Sequence, residues 1–284
     1  MLRNRGAGRD FDRSDPLPGP GRASASPEAG LPVGAARWVS VAGVCPASGT
    51  TTVAALLSLA YAAHRRFRIV AVDAHAVGGG LGARLATHSA TGVAEIAAAA
   101  GNLTSFGLLS SYLDQNAEGA WGVTGAASAA PDAAQCRTAL AALAGFFAVG
   151  VLDCGAIGEP TADALLESAH APLLVAPMTA EGVLATACVL DWLAARRDTA
   201  TPRHCGVALV STSRRPGSDV GWAARLLTGR GARVIPVPYD PGLVAGRISP
   251  SSVSDGVWAA ARRLGGEMLS RAAAESQPGW GHGG

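Results

Sequence analysis

The chain has 284 residues, of which 49% are hydrophobic and 15% are charged, and its formal net charge at pH 7 is +2. That length and composition allow one large buried core, while the near-neutral charge excludes bulk electrostatic attraction to nucleic acid or to a membrane. The apolar runs fall short of the ~18 residues of a membrane span, and five cysteines without Cys-x-x-Cys spacing are typical of reduced thiols in a cytoplasmic protein.

Both ends of the chain differ in composition from the region between them. Residues 1–34 are rich in Pro, Gly, Ser, Asp and Arg and have almost no apolar periodicity, so we expect a disordered tail. A variable solvated extension is the favoured interpretation of this tail, and a partner-binding arm is the alternative. Residues 276–284 are predicted to be a flexible C-terminal tail, and residues 35–275 a single domain.

The first predicted strand of this domain, Trp38–Ala42, leads into a loop of small residues, Gly43–Gly49. A helix that begins with three threonines follows the loop. The first backbone N–H groups of a helix have no partners within the helix, so this arrangement predicts an anion site. In phosphate-binding loops a lysine beside the helix start neutralises the phosphates. This loop has no lysine, and all 23 basic residues of the chain are arginine.

A second strand is predicted at Arg68–Asp73, followed by a glycine-rich loop, a helix over Gly92–Ala100 and a weak segment that extends to Glu118. The glycine-rich loop, residues 78–83, satisfies the dinucleotide-binding pattern Gly-x-Gly-x-x-Ala. However, the link from Asp73 is too long for the first glycine to make the turn off the strand. A flexible, switch-like loop is therefore preferred, and a dinucleotide-dependent enzyme is the less favoured alternative.

The remaining elements alternate between helices and continuous apolar strands. The predicted helices are Pro131–Gly145, 159–169, Glu181–Arg197, Asp219–Gly229 and Ser254–Ala274. The predicted strands are Phe146–Asp153, Ala171–Pro177, Gly206–Thr212 and Arg233–Val237. This alternation predicts an α/β fold with three α/β/α layers and a mostly parallel sheet.

The last predicted helix carries its large apolar residues on one side. We expect that side to cover the sheet rather than to bind a membrane. The residues are Val257, Trp258, Ala261, Leu264, Met268 and Leu269.

The loop after the first strand resembles a degenerate form of the deviant Walker A motif, Lys-Gly-Gly-x-Gly-Lys-Thr-Thr, of the MinD/ParA family of P-loop ATPases. Aligning Gly49 with the last motif glycine places Cys45 and Thr50 at the two lysine positions. The resemblance therefore implies a P-loop NTPase-like fold whose phosphate loop has lost its positive charge. The other aligned positions are Pro46 and Ala47 for the first two glycines and Thr51 for the magnesium ligand.

Three further landmarks carry the same resemblance. Asp73 matches the first acid of the family's Asp-x-Asp switch, and His75 stands at the second. Asp153 ends a strand similar to Walker B, and Ser211 occupies the position that reads the adenine base. The implied nucleotide-binding residues are Gly43, Ser48, Gly49, Thr50, Thr51, Thr52, Ser211 and Pro238, and the implied magnesium ligands are Thr51 and Asp153.

Cys45 and Cys154 are both predicted near the C-terminal ends of neighbouring strands. A thiol near a helix N-terminus could be reactive. The favoured interpretation is that both cysteines fill space left by the missing lysines and ligand. The histidines at 64, 88, 170, 204 and 282 have no ligand spacing, which argues against a zinc site.

The resemblance extends to actinobacterial MinD-like proteins, some encoded near type VII secretion genes. It implies a non-hydrolysing cytoplasmic scaffold or regulator that acts through protein contacts, linked to secretion, partitioning or positioning machinery. It also implies a protein partner and a homodimer, with ATP and magnesium as cofactors if the site works. The alternative is an atypical ATPase in which an arginine from a dimer partner replaces the lysine.

Overall fold

The structure is a computed structural model that describes residues 36–64, 66–75, 80–125, 131–196, 205–215, 219–244 and 246–274. The strands are β1 (Arg37–Gly43), β2 (Ile69–Asp73), β3 (Asp114–Gln115), β4 (Trp121–Val123), β5 (Val149–Ala156), β6 (Ala171–Pro177), β7 (Gly206–Val210) and β8 (Arg233–Val237). The helices are α1 (Thr50–Ala62), α2 (Leu81–Leu85), α3 (Val93–Ala99), α4 (Phe106–Ser110), α5 (Ala133–Ala144), α6 (Pro160–Ser168), α7 (Ala180–Arg196), α8 (Val220–Thr228) and α9 (Asp255–Ala274), with 3-10 turns at Ala100–Asn102 and Pro241–Leu243.

The eight strands form one sheet in the order β3-β4-β2-β5-β1-β6-β7-β8. Every pair in it is parallel except β3 with β4, which confirms the predicted mostly parallel sheet. β1 lies at the centre, and all seven of its residues are buried. The chain first builds the sheet on the β5 side of β1 and later crosses to the β6 side. Such a reversal leaves a crevice at the C-terminal ends of the strands, where α/β proteins bind ligands.

Helices cover both faces of the sheet, which confirms the three-layer prediction. One face packs against α1, α2 and α9, and the other against α3 to α8. The central strands alternate between the two cores, so that Trp38 and Ala42 of β1 face one side and Val39 and Val41 face the other. Burial on both faces explains why these strands are continuous apolar runs.

Helix α9 packs on the sheet beside α1, as the sequence predicted. The Tyr61 hydroxyl of α1 donates a hydrogen bond of 3.1 Å to the Gly265 carbonyl of α9. Leu264 and Met268 are buried, and Trp258 packs against the same core. Across the described residues, no helix is both long and apolar enough to cross a membrane.

Trp38 of β1 lies over its register partner on β5, Gly150. A Cβ atom built on Gly150 would come within 1.9 Å of the Trp38 ring. The indole, 2% exposed, therefore occupies the space that any side chain at position 150 would need. Glycine at this position is a requirement of core packing.

Several boundaries differ from the sequence prediction. Pro131 does not open α5, since Asp132 caps that helix by accepting a 2.8 Å hydrogen bond from the Gln135 N–H. Strand β5 continues past Asp153 to Ala156, because Ala156 still pairs with Gly43 of β1. The short elements α2, α4, β3 and β4 were not predicted from the sequence.

Candidate functional site

The loop between β1 and α1 crosses the C-terminal edge of the sheet at its centre. Gly49 is the N-cap of α1 and has a φ of 90°, a left-handed conformation that glycine adopts without strain. Ala47 also has a positive φ, 60°. The left-handed conformation costs a residue with a Cβ atom about 1–2 kcal/mol, so the loop holds Ala47 under strain.

Ser48 and Cys45 hold the loop together from within. The buried Ser48 hydroxyl donates to the Cys45 carbonyl at 2.6 Å and accepts from the Cys45 N–H at 3.2 Å. Its oxygen is also 3.3 Å from the Cys45 thiol sulfur. The Cys45 side chain, at the first lysine position of the motif, is therefore part of the loop's internal bonding.

Thr50, which aligns with the second lysine of the motif, directs its side chain towards Gly43 at the start of the loop. A Cβ atom on Gly43 would lie 2.5 Å from the Thr50 Oγ1 atom, so the hydroxyl rests against the Gly43 backbone. The N–H groups of Thr50, Thr51 and Thr52 are the first of α1 and have no acceptor four residues back within the helix. The loop thus offers backbone donors and the helix dipole to an anion, but no charged side chain.

Two aspartates meet beside the start of α1. Asp73 of β2 and Asp153 of β5 are register partners on adjacent parallel strands. Burial, and secondly the Asp153 charge, raise the pKa of Asp73 from 3.8 to about 6, although the His75 and Leu81 N–H groups lower it. Burial also raises the pKa of Asp153, against the nearby Thr51 hydroxyl, the Gly155 N–H and His75, which lower it.

No arginine among the described residues forms an ion pair with these carboxylates, and His75 is the basic side chain whose charge lowers both pKa values. Asp153 is 0% exposed, and its Oδ2 atom has no hydrogen-bond partner. Within the described part of the chain, no cluster of three or more His, Cys, Asp or Glu side chains could hold a metal ion alone. Magnesium commonly binds through one or two carboxylates together with substrate phosphates. Thr51 and Asp153 fit that role, so an ion here would depend on a phosphate ligand for its remaining contacts.

His75, at the position where the resemblance expects the second switch acid, lines the same site. Its ring lies against Gly155, where a Cβ atom would come within 2.0 Å of the His75 Cδ2 atom. An imidazole in this position can orient water or donate a hydrogen bond. It cannot supply the negative charge that a second carboxylate would.

The phosphate-loop residues, His75 and Gly155 form most of the wall of a cavity of about 540 Å³. Its wall also contains two charged residues that the sequence analysis did not single out, Arg84 of α2 and Glu159, the N-cap of α6. The one sequence signal for Arg84 was its position, since it is a basic residue directly after the glycine-rich loop in a chain without lysine. The wall is formed by residues 45–52, His75, Gly80, Arg84, Gly155, Ala156 and Glu159.

The two residues predicted to hold the adenine base lie at the same edge of the sheet but outside this cavity wall. Ser211 follows β7, and its N–H donates to the Val237 carbonyl at 3.0 Å. Pro238 follows β8 and lies near Gly256 at the start of α9. The structure thus brings together the predicted phosphate and metal residues, with the predicted base-binding residues two and three strands away from β1.

The dinucleotide pattern and the cysteine pair find no support at this site. Gly78 and Gly79 lie outside the described residues. Gly82 lies inside α2, where a Cβ atom built on it would come within 2.9 Å of the Thr87 carbonyl oxygen. Cys154 lies in the apolar core on the α3–α8 face, where burial raises the pKa of its thiol well above 9.0. A buried thiol of this kind is unreactive.

No protein-family model matches the chain, and no curated protein matches it. Solved structures do. The ParA family ATPase from Chlorobium tepidum TLS superposes with a TM-score of 0.63 at 15% identity, over 86% of this chain and 95% of that one. The septum site-determining protein MinD from Pyrococcus horikoshii OT3, complexed with Mg-ADP, gives a TM-score of 0.59 at 18% identity, over 84% and 94%. The MinC:MinD cell division complex of Aquifex aeolicus gives 0.59 at 16% identity, over 86% and 98%.

These superpositions cover most of this chain and nearly all of each matched chain. The chain therefore has the α/β fold of the MinD/ParA P-loop ATPases.

Proposed function

We propose that this chain is a cytoplasmic scaffold or regulator that has the MinD/ParA fold, does not hydrolyse ATP and acts through protein contacts. The observation that supports it most is the loop itself. Cys45 and Thr50 stand where the resemblance expects lysines, and both side chains are turned into the loop's own contacts. No lysine elsewhere can substitute, because the chain has none.

The energetic argument concerns charge in the transition state. A triphosphate brings about four negative charges into the cavity, and unpaired charge in such a place costs several kcal/mol. Catalysis of phosphoryl transfer depends on positioned positive charge at the transferred group. The loop supplies backbone N–H groups only, and His75 replaces a carboxylate of the switch. Turnover should therefore be lost even if a nucleotide binds.

Protein contacts are supported by the surface at the same edge of the sheet. Helices α7 and α8 follow β6 and β7, and their first turns expose large apolar side chains: Leu184 is 53% exposed and Trp222 is 36% exposed. Exposed apolar side chains contribute to an interaction surface where they form a contiguous patch. The Aquifex aeolicus protein of the same fold was solved as a complex with MinC, and we propose a protein partner or a homodimer here by analogy.

The first prediction is that the purified chain shows no ATP hydrolysis above background in the presence of Mg²⁺. Steady-state phosphate release should be the same for the wild type and for Asp153→Ala, which removes the buried carboxylate beside Thr51. Turnover that is clearly above background and disappears in Asp153→Ala would refute the proposed function.

A second candidate function, magnesium–nucleotide binding, is favoured by one observation. The Oδ2 atom of the buried Asp153 has no hydrogen-bond partner among the described residues, and Thr51 lies beside this carboxylate in the wall of a cavity faced by a helix N-terminus. One of the matched structures of this fold holds Mg-ADP. Binding without turnover is compatible with a scaffold whose contacts depend on a bound nucleotide.

The second prediction is that the triple variant Pro46→Gly/Ala47→Gly/Thr50→Lys binds Mg-ATP about ten- to a hundredfold more tightly than the wild type. A well-placed charged hydrogen bond accounts for that range. Pro46→Gly restores a backbone donor, and Ala47→Gly relieves the strain of a positive φ. Thr50→Lys alone should help little, since Pro46 would still withhold its N–H. Calorimetric titration provides the affinities.

The matched control carries Thr50→Met with the same two glycine substitutions, so that it differs in charge alone. Equal affinities for the lysine and methionine variants would show that charge at position 50 does not act on the ligand. A folded lysine variant that binds no nucleotide would mean that residues 43–52 are not a phosphate loop.

A further inference from the structure

Arg84 of α2 is fixed at the rim of the phosphate-loop cavity by contacts with a distant part of the chain. Its Nη1 atom donates hydrogen bonds to the carbonyls of Leu243 at 2.5 Å and Gly246 at 3.1 Å. Its own carbonyl accepts from the Ile248 N–H at 2.8 Å. These bonds tie the side chain to the segment after β8, so the guanidinium is held in place before any ligand arrives.

The remaining donors of this guanidinium have no protein partner among the described residues. Only Nη1 takes part in the hydrogen bonds of the side chain, and no acidic residue in the described part of the chain forms an ion pair with it. Arg84 is half-buried and lines the cavity. A partly buried cation without a counterion favours an anionic ligand.

The charges around the cavity are divided in a way that suits one kind of ligand. Arg84 and the N-terminus of α1 attract anions at the cavity wall. The half-buried Asp73 and the buried Asp153 beside the start of α1, together with Glu159 in the wall, favour a cation. A simple anion would leave the carboxylates unneutralised, and a metal ion alone would leave Arg84 unpaired. A phosphate chain that carries a divalent cation satisfies both sets of groups.

We propose that Arg84 supplies, from within the same chain, the positive charge that the loop lacks, and that it binds the phosphoanhydride group of a magnesium-bound nucleotide. The fixed geometry of the guanidinium matches phosphate oxygens in two parallel hydrogen bonds. Arg84, which reaches the cavity from α2, takes the place of the loop lysines in binding the ligand. The inference rests on the second candidate function above and does not require ATP hydrolysis.

The test is calorimetric titration of the full-length chain with Mg-ADP, Mg-ATP and magnesium pyrophosphate. Arg84→Met should weaken binding of all three about ten- to a hundredfold, and Arg84→Lys, which keeps the charge, should weaken it less. Arg66→Ala is the control, since it removes an exposed arginine that lines a different cavity, and it should leave the affinities within about twofold.

Unchanged affinity in Arg84→Met, or a wild type that binds none of the three probes, would overturn the inference. Because Arg84 also anchors Leu243 and Gly246, the thermal midpoint of each variant is measured alongside. If Arg84→Met does not fold, Arg84→Gln takes its place, as it keeps an amide donor for those carbonyls without the charge. ATP turnover is a separate readout, so hydrolysis would refute the scaffold proposal without deciding the role of Arg84.

Discussion

Replacing Gly150 with alanine is expected to lower the free energy of unfolding by about 3 kcal/mol or more. A Cβ atom at position 150 would lie 1.9 Å from the Trp38 ring. Both residues lie on adjacent central strands whose backbones are paired and buried, so neither strand can move away. The indole must leave its rotamer or the two strands must separate, and either change disrupts the core. Urea denaturation of the purified chain measures the loss.

Two comparisons make this test specific. Gly145→Ala introduces the same methyl group at an exposed helix end with no atom within 4 Å, and it should be nearly neutral. Trp38→Leu in the Gly150→Ala background should recover part of the loss, with a coupling energy of about 1–3 kcal/mol between the two sites. Strict additivity of the two substitutions would show that the predicted clash is absent.

The second large effect is a loss of stability as the pH rises, to which Asp73 and Asp153 both contribute because burial raises the pKa of each carboxyl group. The folded pKa of Asp73 is about 6, above its ordinary value of 3.8. Between these two pKa values the folded state binds more protons than the unfolded state. The stabilisation that comes from protonated Asp73 is therefore complete below the lower pKa and is lost as the pH rises through the higher one. The difference corresponds to about 3 kcal/mol at pH 7.

Asp73→Asn should remove the Asp73 part of this pH dependence and be the more stable protein at pH 7. The measurement is the free energy of unfolding of both proteins, without added divalent cation, from pH 4 to pH 7. Asp255→Asn, at the exposed start of α9, is the control and should follow the wild-type profile. If the Asp73→Asn and wild-type profiles remain parallel over this range, Asp73 is not protonated in the folded chain.

Most of the fold could be predicted because its central strands are buried on both faces. Runs such as Ala171–Pro177 are continuously apolar for that reason, and their alternation with helices indicates a parallel sheet. The short elements could not be predicted. β3 has two residues and β4 has three, which is too few for any periodicity. β4 is placed by its pairing with β2, and β3 by its pairing with β4.

The candidate site was predictable where its residues lie in an apolar strand or follow one along the chain. Thr51, Asp73 and Asp153 do so, and the structure places them together. Arg84 could not be found in the same way, because its position is fixed by carbonyls about 160 residues later, at Leu243 and Gly246. The positive φ of Ala47 could not be predicted either, because the rest of the loop balances the strain at this residue.

The two edges of the sheet have a consequence for how copies of this protein meet. In β8 the Arg233 N–H donates a hydrogen bond to the Cys205 carbonyl, on the β7 side of the strand. Backbone groups alternate in direction along a strand, so those of Pro236 face the open edge, where proline offers no N–H. At the other edge, β3 is only two residues long. Among the described strands, neither edge is therefore a good template for a strand from another molecule, which protects an apolar chain from amyloid-like growth. We expect copies of the described domain to associate through helices and loops.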